Sequence, residues 1–359
     1  MGRKLHALIL VAAVIRQTLA AYPGQAAESH PDSALQSLLL KGLHEVHSEA
    51  YDNALKTFRK LIDDYPRHPA GYFCTAAVYK TIMQNYRVKT FEPQLDQCIE
   101  SAINAGQNGD RRDKENAVIS FYKGGAYGFR GLHKFRKRDW LGALKDGLKG
   151  ISLLKHALEM DSSMFDAYYG LGSYHYWRSA KSKVLRMLFF RNGKARGIGE
   201  IWKAIEKGQY TAIEGKYALV AIYYDQGDHD KALSVNQELY ALFPTNPSCV
   251  YMRGRLLMKR GEWDQARSSM EALLSHLKGA GYRSAGYETE CHYWIALCCS
   301  RLGRPDEALL HAQEALSVHK RLDIARELEG PLEDNDEIFA MAERLHEALL
   351  KRSDRPEAD

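Results

Sequence analysis

Apolar and small residues recur along the second half of this chain at a period of 34. Leu219, Val220 and Tyr223 share one helical face, Gly227-Asp228 interrupts it, Ala232 opens a second apolar stripe, and Pro244 ends it. The next stretch repeats the order with Gly254, Leu257, Gly261, Ala266 and Leu273, and Ala266 stands 34 positions after Ala232. A further copy holds Ala296, Gly303, Ala308, Ala312 and Ala315, and an N-terminal copy holds Gly42, Ala54, Phe58 and Pro66. Few runs alternate with period two, so strands are not expected. The pattern predicts pairs of antiparallel helices. A small residue early in the second helix lets the two approach, a glycine or polar turn reverses the chain, and a proline stops the second helix. A lone hairpin cannot bury its apolar stripe, so the hairpins must stack.

These residues, at that spacing, resemble the tetratricopeptide repeat (TPR) family. The resemblance is strongest over 40–72 and 212–320. It is traceable over 72–210, where Ala76, Tyr79, Cys98, Ile99 and Ala102 fit one unit. Gly125 opens another, and Leu171, Gly172, His175, Ile201 and Ala204 fit a third. The run Asp166–Trp177, rich in glycine and aromatics, is similar to the tetratricopeptide repeat 39 family, although Ala180-Lys181 stands where that family carries Leu-Pro. The expected fold is all-α: a right-handed α-solenoid of about seven TPR hairpins over 33–330. A C-terminal capping helix and tail follow over 331–359. Asp334–Glu337 precedes that helix, and Ile338, Phe339, Met341, Ala342, Leu345 and Leu349 form its apolar stripe.

Composition adds a location and a charge asymmetry. Arg3-Lys4, the apolar run Leu5–Ile15 and the small residues Ala20-Ala21 and Ala26-Ala27 have the form of a signal peptide over 1–26, with a linker over 27–32. Export, to the periplasm or cell envelope, is therefore the expectation, and a cytoplasmic protein the alternative. The six cysteines form no C-x-x-C pair, and free core thiols are expected, with Cys74 and Cys98 placed to pair if exported. From Lys123 to Lys203 there are 17 Lys/Arg and 6 Asp/Glu, against a whole-chain balance of +5. Arg178–Arg196 carries seven bases, no acid and the apolar string Leu188-Phe189-Phe190. Such an insertion, at 178–197, suits an anionic membrane surface through Lys181, Lys183, Arg186, Arg191, Lys194 and Arg196, or a loop folded over the solenoid.

In TPR proteins the first helix of each unit lines the groove. The resemblance thereby implies an aromatic ladder for a partner: Phe73, Tyr122, Tyr169, Tyr176, Tyr217, Tyr224, Tyr251 and Tyr293. Arg255, Lys259 and Arg301 share that face and favour an acidic segment in the partner. The Lys and Asn with which some TPR proteins clamp a C-terminal carboxylate are missing: Tyr217 and Ala221, then Tyr251 and Arg255, occupy those places. Catalytic patterns are thin. His44-Glu45-His47 is no metalloprotease motif, and Asp225, Asp228, His229 and Asp230 fall on a hairpin turn, where Asp caps a helix. No metal, cofactor or enzymatic activity is expected, and nucleic acid is a poor partner. The function read from the sequence is a protein- or peptide-binding scaffold. The alternative is an envelope module that binds carbohydrate or lipid through the aromatic groove and the basic insertion.

Overall fold

The structure, a computed structural model, describes residues 31–105, 116–181 and 193–353. The described residues from Leu38 onward form one compact unit, and the packing below is that of this unit. The described residues hold fifteen α-helices. They pair as α1 (Pro31–His47) with α2 (Tyr51–Asp64), α3 (Pro69–Tyr86) with α4 (Glu92–Asn104), and α5 (Ala117–Arg136) with α6 (Trp140–Met160). Next come α7 (Ala167–Lys181) with α8 (Gly193–Lys207), α9 (Ala212–Gln226) with α10 (His229–Leu242), and α11 (Pro247–Lys259) with α12 (Trp263–Gly279). Last are α13 (Ala285–Arg301) with α14 (Pro305–His319), and α15 (Asn335–Ser353), which packs on α13 and α14. The 1–26 signal and 27–32 linker lie outside the described residues, apart from the backbone of Pro31 and Asp32.

The expected small residues sit at the helix crossings. Ala54, Ala232, Ala266 and Ala308 are fully buried. A Cβ built on Gly254 would fall 2.6 Å from Met270, and one on Gly172 would fall 2.6 Å from the Gly197 carbonyl. The α7–α8 crossing therefore requires glycine, while at α11–α12 the flexible end of Met270 would have to move. Gly227, Gly261 and Gly303 close α9, α11 and α13 with φ of +77°, +76° and +72°. In each, the next amide bonds back to a carbonyl in the last turn: Asp228 to Tyr223 at 2.9 Å, Glu262 to Leu257 at 3.0 Å, Arg304 to Cys299 at 2.9 Å. Asp228 then caps α10 by accepting from the Lys231 amide. Before α15, Asp334 and Glu337 cap each other's amides at 2.8 and 3.1 Å, a reciprocal capping box.

Three turns use the same left-handed backbone without glycine: Glu49, Arg87 and Arg138, with φ of 61°, 53° and 63°. Such a residue costs on the order of 1 kcal/mol. At Glu49 and Arg87 the side chain offsets that cost by reaching across the unit. Glu49 accepts from the hydroxyls of Tyr86 at 2.7 Å and Thr245 at 2.9 Å, and contacts His276 Nε2 at 3.0 Å. Asn85 bonds Tyr51 and accepts from Ser248 at 2.6 Å. Helix α3 thus meets α11 directly, and the second hairpin closes against the sixth and seventh.

Candidate partner-binding face

The closure decides what becomes of the aromatic ladder. Glu290 of α13 is 1% exposed and accepts from Arg87, from Tyr251 Oη at 2.7 Å and from Trp294 Nε1 at 2.9 Å. Arg87 stacks over Tyr287, its carbon 3.6 Å from the ring centre. Arg255 touches Glu290 at 3.3 Å and forks onto both oxygens of Glu333 at 2.6 Å. Burial would raise the Glu290 pKa, but the Arg87 and then the Arg255 guanidinium outweigh it and hold the carboxyl below its ordinary range. The group is a buried network that leaves Arg87 Nη2 without a hydrogen-bond partner, and it locks an arrangement better than it binds a stranger.

The chain between α14 and α15 supplies the other half of the closure. Val88 and Glu327 form an antiparallel bridge, flanked by the Lys89 amide on Arg326 O at 2.8 Å and the Leu328 amide on Arg87 O at 2.9 Å. Glu327 accepts from the Ser284 hydroxyl and the Gly286 amide. Sequence reasoning missed this segment. Its one signal is a run of acids, Glu327, Glu329, Glu333 and Asp334, opposite Arg87, the residue that ends α3, and Arg255 of α11.

The expected open ladder is therefore corrected in part. Tyr122, Tyr176, Tyr251 and Tyr293 are buried, as is Arg255, which had been expected to meet an acidic partner and instead meets this chain's own Glu333. Tyr176 is sealed by Asp225, 2.5 Å from its hydroxyl, and by Lys194, 5.2 Å over its ring. The physical reason is superhelical closure, which brings residues far apart in sequence onto the same inner side chains. Phe73, Tyr169, Tyr217 and Tyr224 keep part of their surface, while Lys259 and Arg301 are exposed, Arg301 lying 5.5 Å over the Trp263 ring.

The part-buried rings gather on the first helices. Phe73 stacks near Phe129 and Tyr122, with centroids 4.8 and 5.7 Å apart, and a Cβ on Gly125 would sit 2.8 Å from its ring. Lys80 lies 5.0 Å over Phe129. Burial, then Arg136, push the Lys80 ammonium down to about 8. Its one hydrogen bond is to Gln84, and no carboxylate pairs with it among the described residues. Glu214 of α9, 3.2 Å from His47, acts electrostatically on Lys80, Tyr169 and Tyr217. Burial raises both the Tyr169 and Tyr217 hydroxyls. The hydroxyls of Tyr122 and Tyr217 and Oε2 of Glu214 are buried without a protein partner.

A family model described as tetratricopeptide repeat matches residues 223–286, which run from the end of α9 to the start of α13. Its two glycine turns are the geometry found there. Residues 223–286 thus carry tetratricopeptide repeats. Solved structures similar to it include YrrB, a TPR protein with an unusual peptide-binding site, 18% identical over 60% of this chain and 93% of that one, TM-score 0.42. The C-terminal part of a TPR repeat-containing protein from Cytophaga hutchinsonii is 17% identical over 78% and 95%, TM-score 0.41. Cut9–Hcn1 of the APC/C is 15% identical over 86% and 48%, TM-score 0.49. No curated protein matches the sequence.

Two more expected features of this protein are placed. In the basic insertion, Lys183, Arg186, Arg191 and the Lys181 side chain lie outside the described residues. Lys194 and Arg196 belong to the first turn of α8, 3.6 Å from Asp225 and 2.8 Å from Glu200. The six cysteines are free thiols, five of them buried. Burial pushes Cys98 up to about 11, which leaves it unreactive at neutral pH.

Proposed function

We propose that this protein is a non-catalytic scaffold. It would hold an extended acidic segment of another protein on the inner face bounded by Lys80, Phe129, Tyr169 and Tyr217. The observation that carries this reading is Lys80. A part-exposed ammonium over an aromatic ring, with no carboxylate on it among the described residues, gains from a partner that brings one. TPR proteins bind peptide or protein partners, and the rings offer rigid apolar area at low entropy cost. Arg3-Lys4 and the apolar run behind them support a cell-envelope setting.

The test is fluorescence anisotropy with labelled extended peptides, acidic and basic, at low salt. Acidic peptides should bind the full chain. Lys80→Gln should weaken them at least about tenfold, the order expected for losing a charge-assisted contact. Equal binding of acidic and basic peptides, or no effect of Lys80→Gln, removes the inner face as the site.

A further inference from the structure

Half of the large apolar side chains exposed among the described residues fall within one hairpin, between Leu132 and Leu148. Helices α5 and α6, at 20 and 21 residues, are the longest in the described residues. Every residue from Phe135 to Leu141 at their tip is exposed. Leu141 is 83%, Leu144 60% and Trp140 56% exposed. Trp140, Leu141, Leu144 and Leu148 share one face of α6, and the Phe135 ring meets Trp140 edge-on at 4.8 Å. No neighbouring helix covers this stripe, so it serves no packing within the hairpin stack.

The unpaired charges around it are basic, apart from the exposed Asp139. Arg138, Lys145, Lys149 and Lys155 are exposed and in no ion pair among the described residues. The hairpin's acids are already engaged: Asp146 is buried between Arg130 and Lys134, each at 2.8 Å, and Asp139 caps α6 through the Gly142 amide. We infer that the tip of the α5–α6 hairpin docks on an anionic phospholipid surface. Its leucines and tryptophan would enter the headgroup boundary, and its lysines would meet phosphates. Tryptophan suits that boundary because one edge is apolar and the other carries an N–H, and lysine stems extend along apolar surface with the ammonium in water. A convex tip ringed by free lysines is poorly built for a protein interface, whose core is depleted of lysine. This surface stands apart from the inner face.

The experiment is co-sedimentation of the full chain with vesicles of phosphatidylcholine alone and of phosphatidylcholine mixed with phosphatidylglycerol. The wild type should bind the mixed vesicles, with a blue shift in tryptophan emission that Trp140→Phe removes. Leu141→Ser with Leu144→Ser should reduce binding at least about tenfold, and Lys145→Glu with Lys149→Glu should abolish the preference for the anionic lipid. All four positions are exposed, so the circular dichroism melt should not move. Undiminished binding by either pair overturns the inference. So does loss that follows only from neutralising Lys183, Arg186 and Arg191. A concentration-dependent dimer that Leu141→Ser with Leu144→Ser dissolves, with no vesicle binding, would instead make the stripe a contact between copies.

Discussion

Glu290→Gln removes one charge from the closure and changes almost no volume. Arg255 keeps its fork on Glu333, but Arg87 loses the carboxylate it pairs with. Arg87 is buried, and its second terminal nitrogen already lacks a partner. Breaking a buried pair from one side costs about 3–5 kcal/mol. The cation–π contact of Arg87 with Tyr287 survives and is worth up to about 2 kcal/mol when desolvated, so the net loss should be about 2–4 kcal/mol. Urea unfolding followed by circular dichroism measures the total. Hydrogen exchange over 85–91 and 324–328 should show that the loss begins at the bridge, since a solenoid opens locally. Adding Arg87→Met should recover at least about 1 kcal/mol, because the stranded charge goes with it. The pH dependence has a definite sign. Glu290 is held below its ordinary value of 4.5, so its stabilisation is complete above pH 4.5 and is lost as pH falls through the lower native pKa. A Glu290→Gln cost under about 1 kcal/mol, or a double variant worse than the sum of the singles, would refute the closure as the element that fixes the inner face.

Ala266→Trp should overpack the α11–α12 crossing and destabilise by roughly 1–3 kcal/mol or more in a thermal melt. Lys80→Met should stabilise the free protein at pH 7 by about 1–2 kcal/mol, once the full fall from 10.5 to about 8 is discounted for solvent access. The native state binds Lys80's proton less tightly than the unfolded chain, so this gain should fade as pH rises from about 8 to 10.5, and a pH series of melts reads it. His292, 3.0 Å from His311 and pushed down by burial to about 4, should make stability fall between pH 6.5 and 4, a loss that His292→Phe removes. Intact-mass measurement of protein from its host should find a chain beginning after Ala20 or Ala26, and a full-length species would withdraw the envelope setting.

The hairpin stack was legible wherever glycine, alanine and proline carried it. Gly227, Gly261 and Gly303 sit at the turns because only they adopt positive φ without strain, and Ala232 and Ala266 fill crossings that admit nothing larger. Glu49, Arg87 and Arg138 were not legible, because a charged residue announces no left-handed turn. The side-chain partners of Glu49 and Arg87 lie up to 227 positions away in sequence. For the same reason the ladder was located on the first helices but its exposure was misjudged. Period and spacing place a ring on a helix face. They say nothing of Glu333 or Glu290 arriving from a distant part of the chain. The acidic partner expected for Arg255 was recognisable as chemistry, and the structure supplies it from within.

Photo-crosslinking tests the inner-face reading most directly. Benzoylphenylalanine at Tyr169 or Tyr217 keeps the part-buried ring and extends it by a benzoyl group, and the same probe at Tyr240 reports from the second helix α10. In the native host, the inner positions should crosslink a discrete partner and Tyr240 should not, with Lys80→Gln reducing the yield. A partner captured from Tyr240, and never from Tyr169 or Tyr217, would contradict a scaffold that works through its inner face.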